Sequence, residues 1–194
     1  MTSPIAALSR PPPPAAVTVA VLAAGCVALL ARPALLPPGR DPTARLVVLF
    51  VVLGVVGAAW PLAHCRSGDV SRPAATLALA VGLVAFTVGR FATGGPAAVH
   101  PWFVRAVVLN SLAAVAEEAF FRRLLYGVLE RHGQAVAVVG SAAAFAVVHV
   151  TVWGLWVLPL DLAAGLLLSW QRAASGRWSV PAATHVFANV LALV

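Results

Sequence analysis

The chain has no lysine, one tyrosine, one methionine and two cysteines, and only 10% of its 194 residues are charged. Soluble domains carry roughly 25% charged residues and 45–50% apolar ones. A charge content this low, beside 61% hydrophobic residues and a mean hydropathy of +0.96, excludes an ordinary soluble domain. The cysteines exclude more. Cys26 lies within the first apolar run and Cys65 between the second and third, so they make neither a disulfide framework nor a CxxC metal pair. They read as a small buried hydrophobe and a loop thiol. The 13 basic residues are all arginine and give a net charge of +7. They punctuate the ends of apolar runs instead of forming a patch interleaved with aromatics, which argues against a nucleic-acid partner and for helix anchors at lipid headgroups.

What the chain does have is apolar length. After a short Pro-rich leader at 1–14, expected to be disordered, apolar runs occupy about 15–31, 45–63, 74–93, 103–130, 134–151, 154–171 and 178–194. A spanning helix needs about 20 such residues. The expected fold class is therefore all-α, a polytopic transmembrane bundle of about seven helices. The first run reads as an uncleaved anchor and not a signal peptide, because further spans follow it. Residues 15–100 form the N-terminal transmembrane helices and 101–194 the expected catalytic core. The breaks between runs are rich in proline, glycine or charge, and no internal repeat is visible. Arginines divide eight to five in favour of the N-terminal side. By the positive-inside rule this multi-pass protein of the cell membrane has its N-terminus in the cytoplasm.

Ionisable residues within a membrane helix cost at least ~2.5–3.5 kcal/mol and mark function by default. Three clusters stand out. Glu117 and Glu118 are adjacent, hence about 100° apart on a helix, and cannot share a face. Glu118 is four residues before Arg122 and can pair with it, leaving Glu117 free to act as a general base or acid. His149 follows Phe145 by four residues in the fifth run. His185 and Asn189, also four apart, can direct hydrogen bonds towards one point, as an oxyanion stabiliser or metal shell would. Each cluster has a plainer reading when taken alone: interfacial charges ending a span, a packing histidine, or polar glue between helices.

Helix arithmetic connects them. Glu117 lies sixteen residues before Gly133 and His149 sixteen after it, with only a short turn between the two runs. In an antiparallel hairpin both sit at one level, roughly 24 Å from the turn at 1.5 Å per residue. The last two runs form a second hairpin turning near Ser175-Gly176, which places His185 at a similar, shallower depth. Whether Arg122 and Arg123 mark the membrane boundary, or Arg122 is embedded and neutralised by Glu118, is left open at this level.

Glu117-Glu118-x-x-Phe121-Arg122, Phe145-x-x-x-His149 and His185-x-x-x-Asn189, in that order, resemble the three motifs of the CPBP family. That family holds the type II CAAX prenyl endopeptidases and bacteriocin-processing or self-immunity proteins, once grouped as abortive-infection proteins. The resemblance covers about 107–194. It implies an intramembrane endopeptidase with its active site on the last four helices. Glu117 and His149 would activate water, His185 and Asn189 would stabilise the oxyanion, and Glu118 and Arg122 would support the first motif, with Phe145 preceding its histidine. No cofactor is required on this reading. If a divalent metal such as zinc were bound, Glu117, His149 and His185 would hold it, although there is no HExxH motif and no thiolate ligand. Two features depart from the pattern. Arg123 stands where glycine is frequent, and Asp161, beside Pro159, is an intramembrane carboxylate that the motifs leave unexplained, either a supporting or substrate-contacting group or one facing water at a kink.

The expected partners are the bilayer and a membrane-associated protein or lipidated peptide cut near its C-terminus. A transporter or proton relay using the same buried groups is the alternative from another class, though no paired half-helix repeat supports it. A non-catalytic immunity or scaffold protein is the third.

Overall fold

Helices in this chain begin and end where proline, glycine and charge interrupt the apolar runs. The computed structural model describes residues 13–36, 39, 41–62, 71–92 and 102–194. Most of the leader, the segment with His64, Cys65, Arg66 and Asp69, and all of 94–101 lie outside the described residues. Helix α1 (Ala15–Leu30) starts directly after Pro14, and a 3-10 turn (Arg32–Leu35) follows it. Helices α2 (Thr43–Ala59) and α3 (Arg72–Ala92) come next. Before α2, Asp41 receives hydrogen bonds from the hydroxyl and backbone N–H of Thr43 and pairs with Arg105 at 2.8 Å. These contacts, the Thr43 hydroxyl foremost, hold the Asp41 carboxyl below the usual carboxylate range.

The fourth apolar run is one continuous rod with an irregular middle. α4 (Phe103–Glu118) passes into a π-helical stretch (Ala119–Leu125) and then α5 (Tyr126–Glu130). α6 (Gln134–Trp153), α7 (Leu158–Ser175) and α8 (Ser179–Leu191) complete the chain. Pro159 lies in the first turn of α7, where its missing N–H costs nothing. Gly176 closes α7 in the left-handed conformation at φ 64°, which frees the chain to reverse into α8.

All regular structure among the described residues is helical, as expected, and its seven rods correspond to the seven apolar runs. Among the described residues only α3 and α6 combine the length and hydropathy of a membrane span; α1 and α2 are apolar but shorter, at 16 and 17 residues. The expectation of seven spans therefore meets two helices of span length. Bulky apolar side chains nonetheless face outwards on most rods, among them Val48, Val84 and Phe91.

The α4–α5 rod is central, touching α2, α6, α7 and α8, while α3 packs on α7 and α8 and α1 on α6. Phe120, Phe121 and Phe145 form the middle of the core in successive edge-to-face contacts at 5.1 and 5.6 Å. Polar ties cross the interfaces. Ser141 and Ser169 pair at 2.9 Å between α6 and α7, and Gln171 donates to Ala78 O and Thr184 Oγ1, joining α7 to α3 and α8.

The π-helical stretch was not anticipated, and α2 is fitted to it. A Cβ added at Gly57 would lie 2.5 Å from Ala119 C and 2.6 Å from Phe120 N, both backbone atoms that cannot swing away. Arg123, on the same stretch, donates to Gly57 O at 2.7 Å and Trp60 O at 3.1 Å, satisfying carbonyls at the C-terminal end of α2. The arginine that departs from the family pattern thus caps a helix. Gly57→Ala is expected to push α2 off the central rod and cost about 1–3 kcal/mol, as overpacking does. Thermal unfolding in detergent measures it; an unchanged midpoint would show that α2 is free to move.

Candidate active site

The polar groups of the central rod divide at the point where its two glutamates diverge. Glu118 turns inwards and is wholly buried, with Oε1 accepting from Arg122 Nη1 at 2.9 Å. Arg122, also without exposed surface, sends Nη2 to Gly165 O at 3.2 Å and lies over the Phe145 ring at 4.4 Å. Arg122 is thus buried within the protein and neutralised by Glu118. The Arg122 carbonyl, within the π-helical stretch, accepts from Arg172 Nε at 3.2 Å. Widened turns of this kind leave carbonyls in need of such donors.

Glu117 points the other way, into a cavity of about 230 Å³ whose walls include His149, His185, Asn189, Phe145 and Asp161. Glu117 Oε2 stands 3.7 Å from His149 Nε2, as the hairpin arithmetic requires of residues at one level. His149 Nδ1 lies 2.8 Å from Phe145 O. A carbonyl only accepts, so this bond places the proton on Nδ1 and leaves Nε2 of the neutral ring bare towards Glu117.

His185 has a partner that the sequence did not indicate. Its Nδ1 is 2.9 Å from Glu118 Oε1, so the carboxylate that accepts from Arg122 also orients this histidine. Nδ1 carries the proton for that bond, and Nε2 becomes a donor only when the ring is doubly protonated. Asn189 is fixed by donating to Asn110 O at 3.1 Å, which engages one of its two amide hydrogens. Phe145 lies against both histidines, with centroids 4.5 Å from His149 and 5.6 Å from His185. Asp161, in the first turn of α7, lines the cavity, and its Oδ2 is buried without a hydrogen-bond partner among the described residues. Its carboxylate lies in the field of His149, Glu117, His185 and Arg32.

Several cavity residues escaped the sequence reading, among them an arginine, an asparagine and a phenylalanine. Arg32, from the turn after α1, donates through Nη1 to Glu117 Oε1 at 3.2 Å. Asn110 lies seven residues before Glu117, two turns along the same face, a spacing that could have singled it out. Phe86 comes from α3. The site is thus not confined to the last four helices, because α3 and the turn after α1 contribute to its wall.

The conditional metal set of Glu117, His149 and His185 does not gather as ligands. Among the described residues no group of three or more His, Cys, Asp or Glu side chains is arranged to hold an ion, and His185 directs Nδ1 to Glu118.

The cavity lies towards one end of the bundle. His149 is four residues from the end of α6, about 6 Å at 1.5 Å per residue, and Arg32 and Asp161 lie at the end of α1 and the start of α7. The Gly133 and Gly176 turns are at the opposite end.

No curated protein and no solved structure matches the chain. A family model does: type II CAAX prenyl endopeptidase Rce1-like, over residues 98–191, a range that takes in all three motifs and every cavity residue named above except Arg32 and Phe86. The part of this chain that carries the paired glutamates and both histidines, residues 98–191, belongs to the Rce1-like family of type II CAAX prenyl endopeptidases.

Proposed function

We propose that the chain is a multi-pass endopeptidase of the cell membrane that hydrolyses a peptide bond near the C-terminus of a membrane-associated or lipidated substrate. The observation that carries this reading is the facing of Glu117 Oε2 and His149 Nε2 across 3.7 Å on a cavity wall. Two bare acceptors at that separation suit one water molecule donating a hydrogen to each at about 2.8 Å. Its oxygen lone pairs are then turned to a carbonyl carbon in the cavity. As oxygen attacks, Glu117 takes the proton and returns it to the leaving amine. Asn189, with an amide hydrogen to spare, and doubly protonated His185 meet the oxyanion. These side chains supply a nucleophile without a covalent intermediate, and no metal is assigned a step.

The topology belongs to the same proposal. With the N-terminus in the cytoplasm and seven crossings, the end of the bundle that carries the cavity faces away from the cytoplasm. Substrate tails reach it from that side.

The test is cleavage by the full chain in lipid vesicles, using lipid-anchored tail peptides and mass analysis of the released fragment. Wild type is expected to cut, to keep cutting after exhaustive chelation, and to lose about 10²-fold in rate with His149→Ala, because the attacking water loses one of the two acceptors that position it. Wild-type rates in that variant would overturn the mechanism. Proton flux without cleavage would favour a relay.

A further inference from the structure

Arg32 is the one arginine on the cavity wall among the described residues, and the proposed chemistry gives it nothing to do. It lies outside the matched range 98–191, so the family resemblance assigns it no part. Its side chain is 11% exposed. Nη1 donates to Glu117 Oε1 at 3.2 Å, while Nε is buried and has no hydrogen-bond partner among the described residues. A guanidinium presents its donors in a rigid fork, and the edge formed by Nε and Nη2 is one that takes a carboxylate with two parallel bonds. Glu117 occupies the nitrogen outside that edge.

We infer that Arg32 binds the free C-terminal carboxylate of the substrate through its Nε–Nη2 edge and so restricts cleavage to the end of a chain. This rests on the proteolytic reading above and gives it a specificity residue. Glu117 is the common neighbour: Oε1 faces Arg32 and Oε2 faces His149. A terminus held by Arg32 and a carbonyl presented to the Glu117–His149 pair therefore lie on either side of one carboxylate. An extended peptide covers about 3.3–3.6 Å per residue, so only a short tail separates them. At about 230 Å³ the cavity is smaller than the usual ~300–1,000 Å³ of small-molecule pockets, and it suits the end of an extended chain better than a phospholipid.

The experiment uses the full chain in neutral phosphatidylcholine vesicles and pairs of quenched fluorescent peptides, identical except that one ends in a free acid and the other in an amide. Wild type is expected to prefer the acid at least about tenfold in kcat/KM, chiefly through KM, since hydrogen bonds to a charged partner are the strong ones. In Arg32→Gln the acid-to-amide ratio falls towards one, whatever loss the two peptides share. Arg32→Lys, which keeps the charge, retains part of the preference. Glu117-dependent cleavage by wild type with no preference for the acid overturns the inference and leaves proteolysis standing. A preference unchanged in Arg32→Gln, or lost in an active Arg32→Lys, also overturns it, and Arg32 then serves only Glu117. Inhibition by added anionic lipid that vanishes in Arg32→Gln, with equal cutting of acid and amide, reassigns the edge to a lipid phosphate. If no peptide is cut in a Glu117-dependent way, the proteolytic reading fails and the inference with it.

Discussion

Glu117→Gln is expected to abolish peptide hydrolysis, by about 10³-fold or more, while the protein folds and unfolds much as wild type does. General-base catalysis contributes typically 10²–10⁴-fold, and here the same carboxylate also returns the proton to the leaving group. The substituted side chain has nearly the same shape, and its amide oxygen still accepts from Arg32 Nη1, now bound to Glu117 Oε1. What disappears is the proton acceptor facing His149 Nε2. The comparison that gives the result meaning is Glu118→Gln, one residue away. Glu118 lines no part of the cavity, and its Oε1 accepts from both Arg122 and His185. Its loss is expected to lower the unfolding midpoint strongly, with activity falling because His185 loses its orienting partner. Rates for the folded fraction and thermal melts separate the two. Equal melting losses for both variants, or substantial turnover by Glu117→Gln, would end the division of labour between the glutamates.

That division was legible before any coordinates, because two adjacent residues on a helix cannot share a face and only one of the glutamates is four residues from Arg122. The meeting of Glu117 and His149 was legible too, since equal distances from a tight turn fix equal heights in a hairpin. Both are consequences of helix geometry within a short stretch of sequence. Arg32 was not legible. It is separated from Glu117 by 85 residues and sits in a proline-rich break where arginine reads as a headgroup anchor. Only the packing of α1 on α6 brings it to the cavity. His185 shares the cavity wall with Asn189, and its further partner, Glu118, was not legible. Spacing paired it with Asn189 on its own helix, and no local rule could show that a carboxylate 67 residues earlier would take its Nδ1. The π-helical stretch is a similar case. Ala119–Leu125 has the same apolar and basic character as its surroundings, and the wider turn depends on what α2 and Arg172 offer to the exposed backbone.

Arg122→Leu is expected to be the most destabilising substitution at the site, costing about 3–5 kcal/mol, as breaking one side of a buried ion pair does. The cost is not the sum of the bonds Arg122 makes. It comes from what is left behind: a Glu118 carboxylate without exposed surface, whose Oε2 already lacks a partner among the described residues, now balanced by His185 alone. Arg122→Lys should recover only part of this, since an ammonium cannot reach Glu118 Oε1 and Gly165 O from one planar group while covering the Phe145 ring. The combination Glu118→Leu with Arg122→Leu removes both charges together, and its cost should be well below the sum of the two single changes. The pair is therefore expected to show a coupling of several kcal/mol in unfolding measurements while activity stays low, because His185 has still lost the carboxylate that holds Nδ1. Additive losses would mean that water reaches Glu118 once Arg122 is gone. The wall between the cavity and the core would then be thinner than the packing of Phe121, Phe145 and Gly165 around Arg122 implies.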